Sequence, residues 1–119
     1  MTHFKVDIQL PLRYNSEKND SLGKKIPEAS FLETYQEILK LFGGINTTNT
    51  PIMGSWKCPN TGKVYNDQNI VFTVLVESED KATITNVPKI RELIKYKEII
   101  KNRFKQEEIF MVATRCSWL

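Results

Sequence analysis

The run Ile70-Val71-Phe72-Thr73-Val74-Leu75-Val76 leaves the chain little choice of structure. β-Branched and aromatic side chains stand on both of its faces, which predicts a central strand buried on both sides. The stretch around it, Gly43 to Glu77, predicts how that strand is entered. Gly43-Gly44 follows an apolar helical pattern, and glycine commonly ends helices because it adopts positive φ at no steric cost. Pro59-Asn60-Thr61-Gly62 reads as a turn, with proline presetting φ and glycine supplying the left-handed residue. Ile52 to Lys57 and Lys63 to Tyr65 would be the arms of the hairpin. Asn66-Asp67-Gln68-Asn69 is expected to interrupt the second arm as a kink or bulge.

Earlier in the chain, Phe4, Val6, Ile8, Leu10 and Leu12 alternate with Lys5, Asp7, Gln9 and Pro11. Period two over nine residues predicts a strand with one buried face. Arg13 to Glu28 is polar and aperiodic, which predicts a surface loop, either filler or a lid. Ser30 to Phe42 reads as a helix. Ser30 and Glu33 have capping-box spacing, and Phe31, Leu32, Tyr35, Ile38, Leu39 and Phe42 form its apolar stripe. Ala82 to Val87 is expected to be irregular. Pro88 to Lys105 reads as a second helix, with proline in its first turn and Ile90, Leu93, Ile94, Tyr96, Ile100 and Phe104 on one side. Glu108 to Trp118 is the last strand.

The order strand, helix, strand, strand, helix, strand predicts a ferredoxin-like βαββαβ α+β sandwich. Its two helices would cover one face of a four-stranded antiparallel sheet, with the first and third strands at the centre. At 119 residues, the chain from 1 to 119 is expected to be a single domain.

The totals exclude several classes. No apolar run approaches a membrane span, and the N-terminal segment alternates where a signal peptide would be continuously apolar. A cytoplasmic protein with reduced thiols at Cys58 and Cys116 is the expectation. His3 is the sole histidine and no C-x-x-C occurs, which argues against a metal cluster. Cys58 beside Lys57 has grounds for a lowered pKa, though a lone thiol is usually inert. No P-loop, G-x-S-x-G, G-x-G-x-x-G or H-E-x-x-H is present, and no cofactor is implied.

If Phe4, Val6, Ile8 and Leu10 face the helices, Lys5, Asp7 and Gln9 point to the bare face of the sheet. One register of the third strand adds Val71, Thr73 and Leu75 there. The last strand adds either Phe110 and Val112 or Ile109, Met111 and Ala113. Such a face is apolar at its flanks and polar along its centre, and large exposed apolar patches mark interfaces or ligand sites. Pairing two such sheets would make a homodimeric α+β barrel with Lys5, Asp7, Gln9, Thr73 and Arg115 lining a small-molecule site. The bland alternative is a solvated face with ordinary charge pairs. Trp56 and Tyr65 near Asp67 would form an aromatic edge on the hairpin, for a partner or for local packing.

Lys89, Arg91, Lys95, Lys97, Lys101, Arg103 and Lys105 make the second helix basic. That composition suits phosphates, and equally a solvated helix face. RNA-recognition motifs share this topology but stack bases on a basic, glycine-containing and aromatic third strand. Asn69 to Val76 carries no such pattern, so nucleic acid is disfavoured.

Phe42-Gly43-Gly44, Gly54-Ser55-Trp56 and the run from Tyr96-Lys97 to Arg103-Phe104-Lys105-Gln106-Glu107 resemble a family of small bacterial ferredoxin-like domains of unknown function. The likeness covers about two thirds of the chain. It implies the fold and carries no activity. The wider set of ferredoxin-like α+β barrels contains monooxygenases, isomerases and pure binders, and fold alone does not choose among them. The residues point first to a binding module, homodimeric through its sheet face. Second comes a cofactor-independent enzyme with Asp7 as its ionisable group, and third a nucleotide or nucleic-acid binder using the second helix.

Overall fold

The computed structural model describes residues 1–14, 23–48 and 50–119. The long, doubly apolar run becomes the second half of β4 (Val64–Ser78), which lies at the middle of an antiparallel sheet beside β1 (Thr2–Pro11). On the far side of β1 runs β5 (Met111–Cys116). On the far side of β4 lie two short strands, β2 (Asn46–Thr47) and β3 (Ile52–Lys57). Two helices, α1 (Glu28–Phe42) and α2 (Pro88–Phe104), cover one face. The ferredoxin-like α+β arrangement is therefore as expected, with β1 and β4 at the centre. The sheet has five strands where four were predicted, because the segment after α1 pairs briefly as β2.

The register explains the core. Phe4, Val6, Ile8 and Leu10 of β1 stand opposite Val76, Val74, Phe72 and Ile70 of β4, all on the helix side. Ile38 of α1 and Leu93, Ile100 and Phe104 of α2 close over them. Ile109, just before β5, and Ile26, just before α1, complete the cluster. Met111 and Ala113 of β5 join its margin, so Phe110 and Val112 fall on the bare face.

Four expectations are corrected. The segment Asn66 to Asn69 does not kink: β4 pairs without a break from Val64 to Ser78. Those residues lie largely in the part of β4 that pairs with β3, a ribbon extending past β1. Polar side chains are no burden there, and Ser55 Oγ bonds Asn66 Oδ1 across the ribbon at 2.8 Å. The α1 cap is Pro27 with no side-chain bond, and Ser30 already lies inside the helix, accepting the Thr34 hydroxyl at its carbonyl. Leu32 and Leu39 lie on the exposed side of α1, and Thr34 takes a core position. In α2, Ile94 is exposed.

Turns behave as their residues dictate. Gly43 closes α1 at φ +76°, donating its N–H to the Leu39 carbonyl. Gly62 closes the ribbon turn at φ +73°. The Arg13 to Glu28 loop lies partly outside the described residues. Its ends pair, with Tyr14 N–H on the Lys24 carbonyl and Ile26 N–H on the Leu12 carbonyl, both at 2.8 Å. The segment from Ala82 to Val87 contains one 3₁₀ turn, Ile84–Asn86.

A polar lock ties the two helices together. The Arg103 guanidinium donates to both Glu37 carboxylate oxygens at 2.9 and 3.2 Å and to Thr34 Oγ1 at 2.8 Å. Tyr96 donates its hydroxyl to the same carboxylate and accepts from Arg103. Burial raises the Glu37 pKa, but the bonds from Tyr96 and Arg103 outweigh it and hold the carboxyl below its ordinary value. Burial together with the bond to Glu37 pushes the Tyr96 phenol up to about 12. A carboxyl depressed in the fold contributes stability that is complete above its unfolded value, near 4.5, and is lost as pH falls through the folded value. Glu37→Gln is therefore expected to be less stable than wild type at neutral pH. The gap should narrow progressively below that value in urea titrations across pH.

Candidate functional site on the open sheet face

One face of the sheet carries no helix. Pairing of Phe4 with Val76 and of Phe4 with Arg115 fixes which side chains point there. From β1 these are His3, Lys5, Asp7 and Gln9. From β4 they are Val71, Thr73, Leu75 and Glu77. From β5 they are Val112 and Thr114, with Phe110 leading in. Asp7 lies between Thr73 and Val112, and Lys5 between Leu75 and Thr114.

The polar stripe is internally bonded. Thr73 donates its hydroxyl to Asp7 Oδ1 at 2.6 Å, and Lys5 Nζ lies 3.6 Å from Asp7 Oδ2. Both partners of that ion pair are partly exposed, so it is worth less than about 1 kcal/mol. Flanking the stripe are Phe110 at 60% exposure, Val112 at 39% and Leu75 at 37%. Trp118 closes one end, its ring edge-on to His3 at 5.8 Å, while His3 Nε2 lies 3.2 Å from Glu77. Trp118 also borders a cleft of about 420 Å³ with Phe42, Leu75, Val76, Glu77 and Lys89.

Lys5, Asp7, Gln9 and Thr73 are thus brought together as expected. Arg115 is not. It stands opposite Phe4 and so belongs to the helix side, with its guanidinium 5.6 Å from the Phe4 ring centre and donating to the Ala82 carbonyl at 3.0 Å. The sequence left the β5 register open, and in the register adopted odd positions of β5 point opposite to odd positions of β1.

Trp56 and Tyr65 form a cross-strand pair on the ribbon, ring centres 5.7 Å apart at 31°. They share the open side, but Tyr65 is about 27 Å along β4 from Thr73, at roughly 3.4 Å per residue. The aromatic edge and the polar stripe are therefore separate features. Burial pushes the Asp67 carboxyl above its ordinary value. At the ribbon tip, bonds from the Thr61 hydroxyl and the Thr61 and Asn60 amides hold the half-buried Cys58 thiol below its ordinary value. Its neighbour Lys57 is not the cause.

The basic helix is mostly occupied. Lys89 donates to the Leu41 carbonyl, Lys97 pairs with Glu108, Lys101 with Glu98, Arg103 with Glu37, and Lys105 lies over Tyr14. Of the seven cations, Arg91 and Lys95 alone lack a partner among the described residues. No cluster of metal-ligating side chains occurs among the described residues. None of their helices is long and apolar enough to cross a membrane.

No family model matches the chain, and no curated protein is significantly similar to it. The resemblance to small bacterial domains of unknown function therefore gains no support. The fold does find a counterpart in a solved structure, the complex of B. subtilis GlnK with ATP. It superposes with a TM-score of 0.52 at 14% identity, over 98% of this chain and 83% of that one. At that identity the likeness establishes a common fold.

Proposed function

We propose that this chain is a small, non-catalytic binding and interaction module that works through its open sheet face, covered in the assembled protein by a second copy. The observation that carries the reading is the arrangement of Leu75, Val112 and Phe110, three exposed apolar side chains flanking a hydrogen-bonded polar stripe. A solvated face gains nothing from such residues, whereas a covered face removes them from water at about 25 cal/mol per Å². A small-molecule ligand against Lys5, Asp7, Gln9 and Thr73 is part of the same reading. That GlnK, a protein of the same fold, was solved as an ATP complex is consistent with such a ligand. Asp7 suits binding better than proton transfer, because one oxygen accepts from Thr73 and the other faces Lys5. Two free thiols fit a cytoplasmic setting. Nucleic acid has no place in this reading, since five of the seven α2 cations are already engaged.

Native mass spectrometry tests it, on wild type and on Leu75→Lys. Wild type is expected to run as a dimer or to retain a small molecule. Leu75→Lys, which places a cation on the face without touching the core, is expected to shed the copy held through that face, or the retained small molecule, while keeping its circular dichroism. A ligand-free monomeric wild type would overturn the reading.

A further inference from the structure

The two edges of the sheet are built differently. The β2 and β3 edge is broken into two short strands with Pro51 between them. The β5 edge is an uninterrupted run, Met-Val-Ala-Thr-Arg-Cys, with no proline, lysine or acidic residue. Those are the residues by which sheet edges are normally guarded against further pairing. Its one charge, Arg115, is turned back over Phe4 to the Ala82 carbonyl.

The ladder with β1 shows which groups this edge offers. Gln9 N–H bonds the Phe110 carbonyl at 2.9 Å, so even-numbered residues of β5 address β1. The odd-numbered Met111, Ala113 and Arg115 send their N–H and C=O groups outward, and no described residue bonds them. Beside the edge, under α2, lies an apolar groove of about 210 Å³ lined by Ile84, Leu93, Ile94, Met111 and Ala113, among others. Ile94 on its rim is 51% exposed.

We propose that β5 pairs antiparallel with β5 of a second copy, about a two-fold axis at Ala113, joining two sheets edge to edge. The strand is self-complementary in that register. Ala113 meets its own counterpart, Met111 meets Arg115, and Val112 meets Thr114, so no like charges are opposed. Moving the axis to Arg115 would oppose two guanidinium groups. The three outward residues of each copy give roughly six backbone hydrogen bonds across the junction. Each copy also places its apolar groove beside that of the other, which shields Ile94 and Met111. The junction uses the edge and leaves the open face accessible, so it stands apart from the reading of that face.

Hydrogen exchange resolved by residue, across a dilution series, is the decisive test, combined with mass measurement on Ala113→Pro and Leu75→Lys. Ala113 donates nothing to β1, so proline there blocks the edge without breaking an internal bond. The amides of Met111, Ala113 and Arg115 are expected to be protected when concentrated and to lose that protection on dilution. Ala113→Pro is expected to have half the mass of the wild-type assembly with unchanged circular dichroism, while Leu75→Lys, which acts on the open face, keeps the β5 pairing and the protection of its outward amides. Outward amides that exchange as open-edge amides at every concentration would overturn the proposal, whatever the variant does. So would an assembly whose mass Ala113→Pro leaves unchanged while Leu75→Lys halves it, which would leave the face as the interface.

Discussion

Arg103→Ala is expected to destabilise the protein by about 1–2 kcal/mol, since it removes charge-assisted bonds from a lock whose carboxylate is 38% exposed and therefore partly screened by solvent. The side chain is 15% exposed and is held by Glu37, Tyr96, Thr34 and Glu33. Removing it leaves the Glu37 carboxylate between two helices with Tyr96 as its remaining strong donor. Against a total stability of roughly 5–15 kcal/mol for an ordinary domain, that is a large fraction, and it should read directly as a shift of the urea midpoint. Arg103→Lys should restore little, because one ammonium does not reproduce a guanidinium that sends Nη2 to the Glu37 carboxylate and Nη1 to the Thr34 and Tyr96 hydroxyls. The double variant with Glu37→Gln should be less destabilised than the sum of the two single variants, because the uncompensated charge is then gone. Strict additivity would mean that the two side chains do not act as a unit.

Arg103 also shows why part of the structure was legible in the sequence and part was not. The helices, the strand order and the buried face of β1 follow from periodicity, a property of neighbouring residues. Arg103 was one of seven cations on a basic helix, and nothing local sets it apart from Lys101. Its role depends on Glu37, 66 residues away. The same limit governs the open face. Lys5, Asp7, Gln9 and Thr73 were placed correctly because the two central strands have strong alternation. Arg115 was misplaced because β5 is apolar on both faces, so its pattern fits either register. The supposed kink at Asn66 to Asn69 failed for a related reason. The polarity there marks the part of β4 that pairs with β3 past β1, where Asn66 and Gln68 are exposed on one side and the strand continues unbroken. Thr34 has no apolar signature at all. It is buried because its hydroxyl donates to Ser30 and accepts from Arg103.

Phe104→Ala is expected to cost about 3–5 kcal/mol, the range for emptying a phenylalanine site in a packed core. Phe104 is fully buried and meets Phe31 of α1 edge to face, ring centres 5.0 Å apart at 76°. Phe104→Leu should cost less than half as much, since it keeps most of the volume and loses mainly the aromatic contact. Phe104 and Arg103 are adjacent in α2 and both contact α1, one through a ring and one through a charge. If packing dominates this helix pair, Phe104→Ala will be the more damaging of the two at every pH. The Arg103 deficit behaves differently. It depends on an ionised Glu37 and should shrink in acid as that carboxylate is protonated. A second consequence is local. Gln106 side-chain Nε2 bonds the Phe104 carbonyl at 2.9 Å, and Gln106 N–H closes on Lys101 at the same distance. The end of α2 is thus fastened at Phe104, directly ahead of the segment that becomes β5. Emptying this site should therefore raise exchange at the β5 amides bonded to β1 before it does so at β4, because β4 is held on both sides and β5 on one. Uniform loss of protection through the whole sheet would show instead that the helix end and the edge strand unfold only together with the core.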